Sequence, residues 1–367
     1  MGNLQGGVDV AEQMSIDMKL LILVVTNDCN LFCSYCYAQG GEKQEYMSWE
    51  TARNALDYTL SMGKSLKIQF AGGEPLLALA LIKKVVQYVK FHSGLVTFQM
   101  QTNGTLIDSA MARELKHLDI HMGVSLDGPP RVNNQLRPFR GDKGSTPAVI
   151  RGLQNLAAEG IMVGLTTVLT RENTDALPEL VDWAAYVGNV YGISLDLFRP
   201  LGRGLDMPVS PPDLSLLESQ VHAALHRADR IVKLGGPRIR FREVERLRYQ
   251  VREDVVRESY CYATTGQSMA VMPDGAIYPC ASLMLLPEFY LGNINDPSFS
   301  LAEAIGEKAW FGRKVDLMIR CKDCLDRHFC GGGCLARSYA YTGSINKPYE
   351  GDCQLKKTFL KWVKRSS

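Results

Sequence analysis

The chain has 367 residues, 46% of them hydrophobic, and a net charge of +2, a length that exceeds one small core and argues for two domains. The near-neutral balance gives no electrostatic reason to expect nucleic acid or an anionic membrane surface as a partner. The longest apolar runs, such as Leu20 to Val25, are strand-length rather than membrane-length, and no secretory signal precedes them, so the cytoplasm is the expected compartment.

Residues 1–18 are polar and glycine-containing and are expected to form a loose arm. From Lys19 short β-rich runs alternate with longer helical ones. Strands are expected over Lys19–Thr26, Leu66–Ala71, Val96–Thr102, Ile120–Leu126, Met162–Leu169 and Gly192–Phe198. Helices are expected over Trp49–Met62, Leu77–Phe91, Asp108–His117, Thr146–Glu159, Leu177–Val187 and Pro212–Lys233. Gly188 and Asn189 supply a stop for the fifth helix. Alternation of this kind predicts an α/β fold with a parallel sheet. Right-handed crossovers would curl it into part of a TIM-like barrel, with chemistry at the C-terminal ends of the strands. Gly235, Gly236 and Pro237 break the pattern, and the mixed-charge stretch to Glu258 reads as a solvated linker or helix face. His222 and His226 stand at helical spacing without a flanking carboxylate motif and read as a solvent face.

Ten cysteines in a reducing compartment point to metal rather than to disulfides. Three fall at Cys29, Cys33 and Cys36, directly after the first strand. Seven more fall at Cys261, Cys280, Cys321, Cys324, Cys330, Cys334 and Cys353. Three closely spaced thiolates can hold three irons of a cubane and leave the fourth open. A zinc knuckle would want a nearby fourth ligand, and no Cys or His follows Cys36 until His92.

The C-x3-C-x2-C spacing after the first strand resembles the radical SAM superfamily. The likeness runs from residue 19 to about 233 and includes Gly72-Gly73-Glu74-Pro75 after the second strand. It implies a partial (β/α)6 barrel over residues 19–235, with S-adenosylmethionine (SAM) bound to the open iron of a [4Fe–4S] cluster. It also implies SAM contacts by Gly72, Gly73 and Glu74 at the amino group, Tyr35 beside adenine, Ser125 and Arg137 at ribose and carboxylate, and Leu201 at adenine. Glycines suit a close backbone approach, and a guanidinium suits a carboxylate.

The run Cys321-x2-Cys324-x5-Cys330-x3-Cys334 resembles the SPASM domain, an auxiliary-cluster module of radical SAM enzymes that modify peptides and proteins. Residues 236–260 then become the linker and 261–367 the small iron–sulfur domain. The resemblance assigns Cys261, Cys280 and Cys334 to a first auxiliary cluster and Cys321, Cys324, Cys330 and Cys353 to a second. Three [4Fe–4S] clusters with one open iron need one thiolate more than the ten cysteines present. The missing ligand falls on the first auxiliary cluster, where Glu258, water or a substrate thiolate could serve.

These features lead to an oxidoreductase that makes a 5′-deoxyadenosyl radical and closes a thioether or carbon–carbon crosslink in a ribosomally made peptide or protein. Sulfatase maturation is the alternative. Such enzymes place an Asp after the cysteine matching Cys280, and this chain has Ala281. A non-catalytic metal protein does not account for the combined motifs. The expected partners are the peptide, a flavodoxin or ferredoxin as electron donor, and a separate leader-peptide-binding protein unless the leader is recognised directly. The general base is unassigned.

Overall fold

The computed structural model describes residues 16–63, 65–92 and 95–366; most of the expected arm, residues 1–15, lies outside them. The six anticipated strands are β1 (Leu20–Val24), β2 (Leu66–Ala71), β3 (Val96–Thr102), β4 (Ile120–Ser125), β5 (Val163–Leu169) and β6 (Val190–Leu197). Between and after them lie α1 (Trp49–Leu60), α2 (Leu79–His92), α3 (Ser109–Leu118), α4 (Pro130–Leu136), α5 (Thr146–Ala158), α6 (Leu177–Val187) and α7 (Leu214–Lys233). Side-chain caps fix several starts, with Ser48, Asp108 and Asp213 accepting from the backbone N–H of Thr51, Met111 and Ser215. Gly188 closes α6 in the left-handed conformation, as expected. The seven-residue α4 was not anticipated, because two turns are too short to display a periodicity.

Residues 236–260, expected as a linker, hold regular structure. β7 (Arg240–Phe241) pairs with β6, and α8 (Arg242–Arg252) follows it. The helix turns Val244, Leu247 and Gln250 inward and Glu243 toward Ser194 of β6 while its other charges face solvent, so a dense charge pattern masked a narrow buried stripe.

The C-terminal segment contributes β8 (Ser268–Val271), β9 (Ala276–Tyr278) and β10 (Gly292–Asn293). Its helices are α9 (Leu301–Gly306), α10 (Arg327–Cys330), α11 (Leu335–Thr342) and α12 (Glu350–Ser366). β8 pairs in parallel with β1, Leu20 opposite Ser268 and Leu23 opposite Val271. The barrel and the small domain therefore share one sheet, in the order β10-β9-β8-β1-β2-β3-β4-β5-β6-β7. α12 is longer than the short basic helix expected and packs on α7 and α8. Trp362 of α12 meets His222 and His226 at ring distances of 6.0 and 4.7 Å, so His222 is half-buried against a helix while His226 stays exposed, as expected. Among the described residues no helix is long and apolar enough to cross a membrane.

Candidate active site

The loop after β1 carries Cys29, Cys33 and Cys36, and the loop after β2 is pressed against it. Gly73 N donates to Thr26 O and Glu74 N to Asp28 O, both at 2.8 Å. A Cβ on Gly73 would stand 2.2 Å from Asp28 O, so only glycine permits this contact. Burial, aided by the charge of Cys33, pushes the Cys29 thiol up to about 12. Burial likewise pushes the Cys33 thiol up to about 11, although Arg137 opposes it. Buried, mutually repelling thiols are stabilised as thiolates by a cationic iron centre, and this donor set fits a cluster. Among the described residues no three Cys, His, Asp or Glu side chains close around a single metal ion.

Glu74 is fully buried. Its carboxylate accepts from Leu76 N at 3.1 Å, Thr102 Oγ1 at 2.6 Å and Asn103 N at 2.7 Å. Burial raises its pKa against the pull of these three bonds. One of its roughly four acceptor directions remains for another donor. Asn103 Nδ2 in turn donates to Asn30 Oδ1 at 2.8 Å and lies 4.0 Å from the Cys29 sulfur. Glu74 thus braces the β2 and β3 loops behind the first cysteine.

Tyr35, Asp127 and Arg137 form a second buried group. Arg137, at the end of α4, donates through Nη1 to Tyr35 Oη at 2.5 Å, and the Tyr35 hydroxyl donates to Asp127. Arg137 and Asp127 stand 4.0 Å apart. Burial raises Asp127 against the pull of Arg137. Burial also works against the charge of Arg137, but Cys33, Tyr35 and Asp127 hold its pKa well above the usual value. Its Nε is buried without a partner in the protein and is left to serve a ligand. Tyr35 is tied by its hydroxyl into this group, a role that packing beside adenine did not foresee. Ser125, at the end of β4, accepts from Gln101 at 3.0 Å. Leu201 is buried after β6.

Sequence reasoning missed Arg203. It is buried, lies 3.7 Å from the Phe32 ring centre, and donates to Cys33 O at 3.0 Å and Gly40 O at 2.9 Å. Its backbone N–H donates to Cys36 O at 3.0 Å. Arg203, in the loop after β6, therefore clamps the three-cysteine loop through both its side chain and its backbone. The only signal was an arginine in the glycine-containing run Leu201-Gly202-Arg203-Gly204.

The seven remaining cysteines sort into two sets by mutual influence. Burial, then Cys334 and Cys280, push the Cys261 thiol up to about 12. Burial, then Cys330 and Cys321, push Cys353 up to about 12, and Cys324 adds to the same effect on Cys321. Cys321, Cys324, Cys330 and Cys353 line one cavity of about 200 Å³. Glu258 turns away from the first set. Its side chain is 61% exposed and pairs with Lys314 at 2.9 Å. His328 sits 3.5 Å from Asp316.

The barrel lumen holds a cavity of about 360 Å³ toward the N-terminal ends of the strands. Gln69, Gln99 and Gln101 line it, with Arg240 and Arg242 among its other lining residues. Gly123, Gly164 and Gly192 stand side by side on β4, β5 and β6, where their missing side chains make room for Gln101, Tyr191 and Arg240. Gln101 spans the lumen above them, bonded to Ser125 at 3.0 Å and Thr166 at 3.1 Å.

The sequence profile of the radical SAM superfamily matches residues 23–184. An uncharacterized protein of Methanocaldococcus jannaschii is 35% identical over 81% of this chain and 96% of its own length. The Fe-coproporphyrin III synthase of Methanosarcina barkeri is 37% identical, over 61% of this chain and 55% of that protein. Among solved structures, native anSMEcpe with bound AdoMet and the Cp18Cys peptide superimposes with a TM-score of 0.79 at 22% identity. That likeness covers 95% of this chain and 97% of the other.

Proposed function

The chain belongs to the radical SAM superfamily, and from that premise we propose that it modifies a peptide or protein by hydrogen abstraction, closing a thioether or carbon–carbon crosslink. Membership brings S-adenosylmethionine and a [4Fe–4S] cluster, which when bound supply one-electron cleavage to methionine and a 5′-deoxyadenosyl radical. Cys29, Cys33 and Cys36 would hold that cluster. Arg137, through its unpartnered Nε, and Glu74, through its remaining acceptor direction, would hold the carboxylate and amino ends of SAM. Ser125 and Leu201 would flank its ribose and adenine. Cys261, Cys280 and Cys334 would carry a first auxiliary cluster, and Cys321, Cys324, Cys330 and Cys353 a second. A flavodoxin or ferredoxin would deliver the electron.

What supports the peptide reading is the likeness of fold: the chain superimposes over 95% of its length on anSMEcpe holding the Cp18Cys peptide. The second reading, a porphyrin, is raised by the 37% identical relative. Sulfatase maturation is disfavoured by Ala281, which is buried against Met272 and Met284 and offers no base.

The test is isotopic. The anaerobically reconstituted enzyme, with SAM and reductant, is given either a deuterated peptide pool or deuterated coproporphyrin. Deuterium in 5′-deoxyadenosine from the peptides alone is expected. Transfer from the porphyrin alone would overturn the reading.

A further inference from the structure

Four arginines crowd the Cys261, Cys280 and Cys334 site, and three of them carry an N–H that is buried and unpartnered. These are Arg199 Nε, Arg257 Nη1 and Arg313 Nε. Unpartnered buried donors are rare because each forfeits its hydration without return, so three around one site call for a shared acceptor. The rest of each guanidinium is anchored beside a ligand cysteine. Arg313 is 5% exposed and donates to Gly333 O at 3.0 Å and Gly332 O at 2.9 Å, just before Cys334. Arg257 donates to Tyr260 O, just before Cys261. Arg199 pairs with Asp196 at 2.5 Å, stands 5.3 Å from the ring centre of Tyr37, and acts electrostatically on Cys280 and Cys334. The fourth, Arg337, is neutralised on both sides, by Asp196 at 2.5 Å and Asp352 at 2.6 Å. Asp352 also accepts from Cys334 N at 3.1 Å. Burial lowers the pKa of Arg313 and, with Arg246 nearby, that of Arg257 to about 10, as befits cations short of an anion.

We propose that Arg199, Arg257 and Arg313 form a cationic rim that donates to the first auxiliary cluster and to the anion completing it, and so holds its reduction potential above that of the second. The inference rests on the reading that both auxiliary sites hold clusters. Cluster potentials follow net charge and hydrogen bonds to sulfur. The first site has one thiolate fewer, and its donors are buried, where charge acts with little screening. The four thiolates of the second line a cavity walled by Arg320, Arg327, Lys356 and Lys357, of which Arg327 is already paired with Asp316 at 2.5 Å. A single electron entering the auxiliary pair would therefore rest on the first site, beside the barrel.

The experiment is a redox titration followed by electron paramagnetic resonance on the full chain carrying C29A, C33A and C36A, which leaves only the auxiliary clusters. The signal lost in a further C280A change identifies the first. R257Q and R313Q are each expected to shift its reduction equilibrium at least tenfold toward the oxidised form, about 59 mV for one electron. The second signal should move less than the first in both variants, since Arg257 and Arg313 also face Cys330 and Cys321, and should shift in R320Q. R257K keeps the charge and should restore most of the effect, which decides the matter if R313Q fails to fold. A first-site potential that is unmoved in R257Q, or that lies below the second in the parent, overturns the proposal while leaving two clusters in place. Fewer than two cluster signals in the parent would instead overturn the auxiliary-cluster reading, and this proposal with it.

Discussion

Replacing Arg203 with Ala should unseat the three-cysteine loop without touching a ligand. The side chain is 4% exposed, so its bonds to Cys33 O and Gly40 O are shielded from water. Each charge-assisted bond of that kind contributes about 1.5–3 kcal/mol. The contact with Phe32, desolvated, adds about 2 kcal/mol. The pair with Glu42, whose side chain is 41% exposed, is left out because solvent screens it. Water entering the emptied site recovers part of the loss, so the loop is weakened on the order of 4 kcal/mol. That is about a thousandfold in the population of the closed loop, at about 1.4 kcal/mol per tenfold. The assay is iron release to a ferrous chelator under anaerobic conditions. With roughly twelve irons per chain at four per cubane, about one third should leave at least tenfold faster than in the parent, and the rest should keep pace. 5′-Deoxyadenosine formation should fall with that fast fraction. Parental release kinetics in R203A would refute the clamp.

Loss of all three cysteines of the first loop should leave about eight irons, on the same count, and no SAM cleavage; retained cleavage in the C29A/C33A/C36A chain would reassign the site. The group around Tyr35 should split by severity. R137A strands the buried Asp127 and should weaken SAM binding at least tenfold in equilibrium dialysis, whereas Y35F removes one bridging hydroxyl and should cost less; the reverse order would contradict the assignment of Arg137. Glu74 has a folded pKa raised by burial, so the folded state binds the extra proton and stability falls as pH rises from the ordinary carboxylate value through the raised one. Urea midpoints measured across that window should slope downward in the parent and flatten in E74Q. A281D would bury a carboxylate among Ile22, Met272 and Met284, costing about 2–4 kcal/mol; the melting temperature should drop by several degrees, and an unchanged melting curve would mean that the pocket is wet.

What the sequence made legible was local. Cluster cysteines sit three to six positions apart within a motif, and glycines at Gly72 and Gly73 stand where a loop must meet another loop. What it hid was long-range. Arg203 reaches back to Cys33, and Arg337 joins Asp196 to Asp352; nothing in the spacing of such residues marks them as partners. Glu258 looked available as a ligand because it lies near Cys261 in sequence, yet the chain turns it outward to Lys314. β7 and α8 were obscured for a different reason, since a helix with only three buried positions reads by composition as a solvated tether.

The pairing of β1 with β8 has a consequence for how the protein is made. Leu20 finds its partner Ser268 only after nearly the whole barrel has been synthesised. At about 5–20 residues per second, β1 waits roughly 12–50 s on the ribosome with one edge open. That edge is apolar and strand-forming, the kind of surface that recruits another chain. The cysteines of the first loop emerge early in this interval, Cys261 at its end, and the other small-domain cysteines after it. Delivery of iron and sulfide and shielding of the nascent edge therefore fall in the same window. Overproduction that outruns either should give insoluble, iron-poor protein from a sequence whose finished fold has no such defect.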